Sequence, residues 1–272
     1  MLRVAPPDDS VFVFYERDMM RQEPALHALV RERTTVPVAD IVAYDESRSI
    51  IDRPFLLMER LPGEPLCDMS GINSNVVFQQ AGACLAQVHA IRADTYGYLG
   101  EHQPMKPQTA WADAFAVMWR KLIEDVALSE HYGPDECNAM YRLLDRCMPA
   151  IDRPVPSCLL HMDLWAENVL VSPSGELTGL IDWDRALWGD PEIEFAVLDY
   201  CGVSVPAFWE GYGRARDASI EAEIRQMIYL LYEIQKYIVI NEGRNKDRSS
   251  AHWYARHSLQ MASQLTLMTN NL

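Results

Sequence analysis

A short strand-rich segment within a mainly helical sequence is the feature that most constrains the fold. Its strand-like runs are Cys158–Leu160, Val169–Ser172 and Leu177–Ile181, and Pro173–Gly175 is a turn that joins the last two. Four polar residues stand at the ends of these runs: His161, Asp163, Asn168 and Asp182. Side chains at the ends of neighbouring strands can converge on one point, so we expect a site there.

The spacing of these residues indicates a specific chemistry. His161 to Asn168 reads H-x-D-x-x-x-x-N, and Asp182 follows fourteen residues later in the block I-D-W-D. Phosphoryl transfer requires a carboxylate that orients the acceptor hydroxyl, and hard oxygen ligands for the Mg²⁺ that neutralises the triphosphate. We therefore predict that Asp163 faces the acceptor and that Asn168 and Asp182 face the metal.

Three stretches of the chain carry a family resemblance. They are His161–Leu170 (HMDLWAENVL), Ile181–Ala196 (IDWDRALWGDPEIEFA) and, with weaker support, Phe55–Pro65 (FLLMERLPGEP). Together they resemble the aminoglycoside phosphotransferases, relatives of the protein kinases that include choline and fructosamine kinases. The resemblance implies an α+β, bilobal protein-kinase-like fold with a small β-rich N-lobe and a mainly helical C-lobe. It also implies a small-molecule kinase that uses Mg²⁺ and ATP or GTP to phosphorylate a hydroxyl group.

The resemblance assigns roles to individual residues of the C-lobe. Asp163 corresponds to the catalytic-loop base, and Asn168 and Asp182 correspond to the metal-binding residues. His161 is interpreted as a packed residue that supports the loop, in preference to an acid-base role. Glu194 stands where the family has an aspartate at the start of the next helix, and we expect it to be a buried anchor for the loop backbone.

The resemblance also places a hinge at Met58–Leu61, between the lobes. Backbone groups of this segment, in particular of Met58, Glu59 and Leu61, are then expected to bind the purine edge of the nucleotide. The corresponding division of the chain is an N-terminal lobe at 1–62 and a C-terminal lobe at 63–272.

The N-terminal lobe departs from the family pattern. The sequence has no G-x-G-x-x-G phosphate loop, and its first lysine is Lys106. Arg3 stands on the strand where protein kinases carry a lysine, with Glu23 as its expected helical partner and Glu16 as the alternative. Arginine keeps the positive charge, although its planar fork differs in geometry from an ammonium. Either the sequence begins late and the lobe is truncated, or the protein has lost these parts together with catalytic power.

Hydrophobic periodicity predicts the remaining elements. Strands are expected at Met1–Ala5, Val11–Phe14, Ile41–Tyr44 and Pro54–Met58, with a turn at Pro6–Asp9. Helices are expected at Tyr15–Glu32, Val77–Val88, Trp111–Val126, Ile220–Ile238 and His252–Leu267.

The formal net charge of −15 argues against nucleic acid and anionic membranes as partners and favours a cationic ligand. Acidic residues of the C-terminal helices then suit an amine-bearing, aminoglycoside-like acceptor, and the candidates are Glu221, Glu223, Glu233 and Glu242, with Asp184 beside the metal site. Each is alternatively a residue of a solvated helix face, and Asp184 and Asp190 are alternatively caps or turn residues. We expect a monomer or a homodimer.

The six cysteines show neither a C-x-x-C pair nor metal-ligand spacing, so we expect buried free thiols. The N-terminus does not resemble a secretory signal and no apolar run is long enough to span a membrane, which indicates the cytoplasm. Two rival functions remain: a catalytically silent protein with the kinase fold, and a metal-dependent hydrolase with Asp163, Asp182 and Asp184 as ligands.

Overall fold

The N-terminal part of the chain forms a small antiparallel sheet. The computed structural model describes residues 1–8 and 10–270. The sheet has the strand order β1-β3-β2, with β1 at Leu2–Val4, β2 at Ile41–Asp45 and β3 at Phe55–Met58. Alternation along β3 buries Leu56 and Met58 and exposes Leu57. Arg3 pairs with Leu56 across the sheet and therefore shares its inward face.

A helix, α1 (Glu23–Arg33), follows the first strand and packs against β2. We predicted that it begins at Tyr15, which is wrong, because Asp18 has φ +55° and only a 3₁₀ turn at Met19–Gln22 precedes the helix. Pro24 is accommodated in the first turn, where the backbone N–H has no helical partner.

The strand predicted at Val11–Phe14 is also wrong. Val13 is fully buried, but the backbone here forms turns. The amide of Phe14 donates to the carboxylate of Asp125 (2.7 Å) instead of to a neighbouring strand. A side chain from another element thus satisfies the backbone of an apolar segment that sequence alone cannot distinguish from a strand. The turn predicted at Pro6–Asp9 includes Asp9, which lies outside the described residues.

The C-terminal part is mainly helical, as predicted. Its helices are α2 (Ser74–Val88), α3 (Trp111–Leu128), α4 (Pro134–Ile151), α5 (Pro191–Tyr200), α6 (Pro206–Tyr212), α7 (Ile220–Ile240) and α8 (Arg248–Thr269). Two small sheets lie among them, ordered β4-β7-β8 and β5-β6-β9. Their strands are β4 (Glu64–Pro65), β5 (Arg92–Ala93), β6 (Ser157–Leu160), β7 (Val169–Val171), β8 (Leu177–Leu180) and β9 (Leu187–Gly189).

The main hydrophobic core lies between α3, α4 and α7. Phe115 and Trp119 of α3 are fully buried, and Phe115 meets Tyr229 of α7 edge to face with ring centroids 5.0 Å apart. Burial of a side chain such as Phe115 contributes roughly 1.5–3 kcal/mol to folding. Leu160 at the end of β6 and Met162 in the loop that follows it belong to this core.

Two of the sequence predictions concern the chain as a whole. All six cysteines are free, as predicted, but only Cys147 and Cys158 are buried, Cys67 is exposed and the other three are partly buried. Over the described ranges, no helix combines the length and the hydrophobicity of a membrane-spanning segment.

Candidate active site

The loop between β6 and β7, residues 161–168, carries three of the candidate site residues. Its second residue, Met162, has φ +65°, in the left-handed region that non-glycine residues rarely adopt. Glu194 of α5 accepts hydrogen bonds from the amides of His161 (3.1 Å) and Met162 (2.8 Å). The fully buried Glu194 therefore contacts the strained backbone that we propose it anchors.

The charge of Glu194 is stabilised by its hydrogen bonds. Burial opposes ionisation of this carboxyl group, but the hydrogen bond with His89 (Nε2 to Oε2, 2.8 Å) and the loop amides outweigh burial and lower its pKa. Asp190 caps the same helix by accepting from the amide of Glu192 (3.1 Å), as the cap interpretation predicted.

His161 connects the loop to the end of β8. It is fully buried, and burial lowers the pKa of its imidazole, so the ring is neutral at pH 7. Its Nδ1 accepts from the amide of Asp163 (3.2 Å), which places the proton on Nε2, 3.1 Å from the carbonyl oxygen of Ile181. These two bonds fix the separation of the two segments that carry Asp163 and Asp182.

Asp163 is a half-buried carboxylate with a partner on each oxygen. Oδ1 accepts from Nη1 of Arg185 (2.5 Å), and Oδ2 accepts from the amide nitrogen of Asn168 (3.0 Å). Burial alone raises the pKa of Asp163, but the positive charges of Arg185 and Lys236 outweigh burial and lower it. Asp163 is therefore ionised at neutral pH and acts as a hydrogen-bond acceptor.

Asn168 and Asp182 are arranged to present oxygen atoms to one cleft. The amide nitrogen of Asn168 donates to both Oδ2 and the backbone oxygen (2.8 Å) of Asp163, so the amide oxygen of Asn168 remains available. Asp182 has φ +67° at the end of β8, and its carboxylate is partly exposed. An amide oxygen and a carboxylate suit Mg²⁺, which takes one or two protein ligands together with phosphate oxygens and water.

The structure does not favour a metal site made of protein ligands alone. Within 1–8 and 10–270, no group of three His, Cys, Asp or Glu side chains is placed to hold a metal ion. Asp163, Asp182 and Asp184 therefore do not form such a group.

Arg3 joins the small lobe to the metal side of the site. Its Nη1 donates to both carboxylate oxygens of Glu23 (2.9 and 3.0 Å), and its Nη2 contacts Asp182 (3.0 Å) and Asp184. Burial raises the pKa of both Glu23 and Asp184 against the opposing charge of Arg3. Glu16, the alternative partner, instead accepts from Arg244 (3.0 Å).

Asp184 lies in a turn, as one interpretation predicted, because the amide of Ala186 donates to the carbonyl oxygen of Trp183 (3.1 Å). Its buried carboxylate faces Arg3, on the metal side of the site. The alternative prediction that Asp184 contacts the acceptor is therefore not supported by its position.

A cleft of about 360 Å³ lies between the two lobes. All the residues proposed to bind nucleotide line it: Arg3, Glu23, Met58, Glu59 and Leu61, as do Asn168 and Asp182. The backbone of Met58 is already engaged on both sides, since its amide donates to the carbonyl of Met1 (2.9 Å) and its carbonyl accepts from the terminal amine (2.6 Å). The amide of Leu61 and the carbonyl of Glu59 have no partner among the described residues, so these two groups are available to a purine.

The acidic residues proposed for the acceptor are not gathered at one surface. Glu233 is buried and contacts Lys236 and Arg185 (3.4 Å) instead of facing solvent. Glu221 and Glu223 are exposed in the first turn of α7, and Glu242 contacts His131 (3.0 Å), so the contact of these residues with an acceptor stays a prediction. Glu233 is therefore part of a buried ion pair and does not belong to a solvated helix face.

Arg185 and Lys236 were missed by the sequence reasoning, although both influence Asp163. Arg185 is buried, donates to Asp163 and also contacts the hydroxyl of Tyr15 (3.1 Å). A sequence signal existed for each: Arg185 directly follows the D-W-D block, and Lys236 stands three residues after Glu233 on one helix face.

Comparison with known proteins agrees with this arrangement. The sequence matches the model of the phosphotransferase enzyme family over residues 2–226. A Vibrio parahaemolyticus protein named "Probable ketoamine kinase" is 31% identical over 222 residues, covering 77% of this chain and 70% of that protein. A Klebsiella aerogenes protein of the same name is 29% identical over 223 residues, covering 78% and 71%.

The fold also has solved counterparts. A thermostable mutant of the aminoglycoside phosphotransferase APH(4)-Ia, in a ternary complex with AMP-PNP and hygromycin B, superposes with a TM-score of 0.67 at 18% identity, covering 96% of this chain and 85% of that chain. At that identity the likeness concerns the fold, which is that of the protein kinases. The family match and the fold together show that this chain belongs to the phosphotransferase enzyme family and is a small-molecule kinase.

Proposed function

We propose that this protein transfers the terminal phosphate of ATP or GTP to a hydroxyl group of a small amine-bearing molecule, either a ketoamine or an aminoglycoside. The observation that carries the proposal is the placement of Asn168. Its amide nitrogen binds Asp163, while its oxygen is available in the cleft that it shares with Asp182. One side chain thus connects a carboxylate base to a pair of oxygen ligands, which is the arrangement that phosphoryl transfer requires.

On the donor side, Asn168 and Asp182 would hold Mg²⁺, which when bound neutralises the charge of the phosphates. Arg3 supplies a fixed positive charge beside them, oriented by its two bonds to Glu23. The free backbone groups of Glu59 and Leu61 would bind the purine edge. ATP and GTP are present in the cytoplasm, where we propose that the protein is located.

On the acceptor side, Asp163 would accept the hydrogen bond of the substrate hydroxyl, orient it toward the phosphate and take its proton as the bond to phosphorus forms. Arg185 and Asn168 bind one oxygen each and so fix the carboxylate plane. The lowered pKa of Asp163 suits a residue that positions the hydroxyl more than it activates it.

The choice of acceptor rests on relatives and on charge. Two relatives at about 30% identity bear the name "Probable ketoamine kinase", and a structural counterpart is an aminoglycoside phosphotransferase in complex with hygromycin B. Both classes of molecule combine hydroxyl groups with amines, and the net charge of −15 attracts cations to the protein. The acceptor class is therefore proposed from the shared chemistry of these two groups.

A panel of acceptors tests the proposal. The measurement is release of ADP or GDP in the presence of Mg²⁺ with a fructosyl-amine, with hygromycin B, and with sorbitol as a polyol that lacks an amine. We expect one of the amine-bearing compounds to stimulate nucleotide consumption above the level with sorbitol. Equal, unstimulated rates for all three would remove the support for an amine-bearing acceptor.

A catalytically silent nucleotide-binding protein is the second candidate. It is favoured by the arginine at position 3 in place of lysine and by the ion pair between Asp163 and Arg185. In that case Mg²⁺ and ATP raise the melting temperature, since a ligand that binds the folded state stabilises it, while no acceptor is phosphorylated.

A further inference from the structure

A second cavity, of about 270 Å³, lies outside the nucleotide cleft and shares no lining residue with it. Its wall is formed by the end of α2, β5, the segment before β6, the start of α5 and the end of α6. Three arginines contribute to this wall: Arg92, Arg153 and Arg214. Such a concentration of positive charge is unexpected in a chain with a net charge of −15.

The carboxylates in the same wall are already engaged. Asp190 binds Arg153 (2.7 Å) and the amide of Glu192. Glu192 binds Arg153 (2.7 Å) from one side and Nε of Arg225 (2.7 Å) from behind the wall. These two carboxylates therefore have cationic partners of their own and leave the other arginines without a counter-charge.

The remaining guanidinium groups lack an anionic partner. Arg92 donates to the carbonyl oxygen of His89 and to Sγ of Cys158, and burial raises the pKa of that thiol, so both acceptors are uncharged. Arg214 is exposed, as Arg92 is, and it makes no hydrogen bond or ion pair with any residue in the described ranges. Nε of Arg153 is buried and has no partner there either. Donors and positive charge in this cavity thus exceed the acceptors that the chain supplies.

From this imbalance we propose that the cavity binds the phosphate group of a small phosphate monoester, with Arg92, Arg153 and Arg214 as its donors. Guanidinium groups present planar pairs of N–H donors that match phosphate oxygens, and two uncompensated cations favour a dianion over a carboxylate. Phe195 and Trp209 form an apolar side of the wall for the organic part of the ligand. Arg216 packs over the Trp209 ring at 5.3 Å and helps to hold that side in place.

The cavity lies directly behind the catalytic loop. His89 lines the cavity and also binds Glu194 (2.8 Å), the residue that contacts the loop backbone. Tyr212, another lining residue, is hydrogen-bonded to Nδ1 of the same His89 (2.8 Å). A ligand here is therefore separate from the donor nucleotide, and its binding can be measured with every cleft residue unchanged.

The test is isothermal titration of glycerol 3-phosphate into the wild type and into two double variants at constant ionic strength. The first variant is Arg92→Ala with Arg214→Ala. The matched control is Arg142→Ala with Arg256→Ala, which removes the same charge from exposed positions elsewhere. We expect the wild type and the control to bind alike and the first variant to bind about tenfold more weakly or worse, as loss of charge-assisted bonds implies.

Three outcomes would overturn the proposal: no binding to the wild type at millimolar concentrations, equal weakening in both double variants, or tighter binding of acetate than of glycerol 3-phosphate. The single change Arg214→Glu guards against misfolding, because Arg214 has no bond to lose within the described chain and its reversal of charge should alone abolish binding. Normal binding by Arg214→Glu would equally rule the proposal out.

Discussion

Arg3 is surrounded by more negative charge than it can neutralise. Its guanidinium contacts the carboxylates of Glu23, Asp182 and Asp184, and burial raises the pKa of Glu23 and Asp184. A cluster of one cation and three carboxylates is short of positive charge. A divalent cation carried in with a nucleotide would restore the balance, which supports the proposal that Mg²⁺ binds here.

Replacing Arg3 by Met keeps the length of the side chain but leaves buried carboxylates without a cation. We expect Arg3→Met to raise the KM for nucleotide and to lower the free energy of unfolding by roughly 3 kcal/mol. This value is near the low end of the loss seen when a buried ion pair is broken, because Arg3 is partly exposed. Urea unfolding and steady-state kinetics are the measurements. The control is Arg31→Met, whose ion pairs are exposed, and an equal effect of both changes would contradict the prediction.

The carboxyl group of Asp190 predicts a pH dependence of stability. Burial raises its pKa from 3.8 to about 6, in spite of the neighbouring Arg153. Between these values the folded state retains a proton that the unfolded state has released, so this group makes the free energy of unfolding fall as pH rises. We expect Asp190→Asn, which retains the helix cap, to flatten that decrease between about pH 4 and 6. Parallel stability curves for the two proteins would contradict this assignment.

At the scale of residues, the sequence could predict the identity of the polar groups but not all of their partners. Asp163 and Asn168 stand five residues apart in the H-x-D-x-x-x-x-N pattern. The short loop between them brings their side chains into contact. The pairing of Asp163 with Arg185 brings together residues on different strand connections, and Lys236 comes from a helix more than seventy residues away. The positions of Arg185 beside the D-W-D block and of Lys236 beside Glu233 mark both residues as candidates, but a single sequence does not show that either approaches Asp163.

At the scale of elements, α5 and the catalytic loop act together through Glu194. Replacing Glu194 by Gln retains its shape, but one of the two loop amides then faces an NH2 group and loses its acceptor, so the loop shifts relative to the cleft. We expect kcat to fall, by up to about a hundredfold, with a smaller change in the KM for nucleotide, because misplacement of a base affects the chemical step. Asp199→Asn, on the same helix but bound to Arg216 at the surface, is the control.

If Glu194 had only a structural role, Glu194→Gln would lower the melting temperature without lowering kcat more than it changes the KM for nucleotide. If Glu194→Gln and Asp199→Asn gave the same kinetics, Glu194 would not position the loop.

The accuracy of the element predictions depended on how far each element is stabilised locally. Periodic helices such as α3 and α7 begin and end close to the predicted residues, because an amphipathic pattern determines them. The strand predicted at Val11–Phe14 was wrong because the backbone of this segment bonds to the side chain of Asp125 instead of to a neighbouring strand. The two-residue strand Arg92–Ala93 has too few residues to show any period, and only its partner β6 defines it.

At the scale of the whole molecule, we propose that the chain divides into two lobes between residues 62 and 63, but the two lobes share part of their hydrophobic core. The small lobe has a buried cluster of its own that contains few residues: Met20, Ala39, Leu56 and Met58. Its helix α1 instead contributes Leu26 and Val30 to a core shared with Leu85 of α2. The lobes are therefore distinct in position but continuous in packing.

This packing predicts that residues 63–272 do not fold independently of residues 1–62. Without α1, the apolar surface around Leu85 and Leu159 is exposed to water, which is unfavourable by about 25 cal/mol for each Å². We expect the isolated 63–272 fragment to lack a cooperative thermal transition. A sharp transition near that of the full chain would show instead that the C-lobe is an autonomous domain.

The central claim is that Asp163 serves the acceptor while Asp182 serves the metal-bound nucleotide. Calorimetric titration of Mg²⁺ with a non-hydrolysable ATP analogue into Asp163→Asn and Asp182→Ala, beside turnover with a stimulating acceptor, tests it most directly. The account predicts that Asp163→Asn loses turnover and keeps the wild-type Kd within about twofold, whereas Asp182→Ala binds at least about tenfold more weakly. Equal losses of affinity in the two variants would contradict the division of roles between these carboxylates.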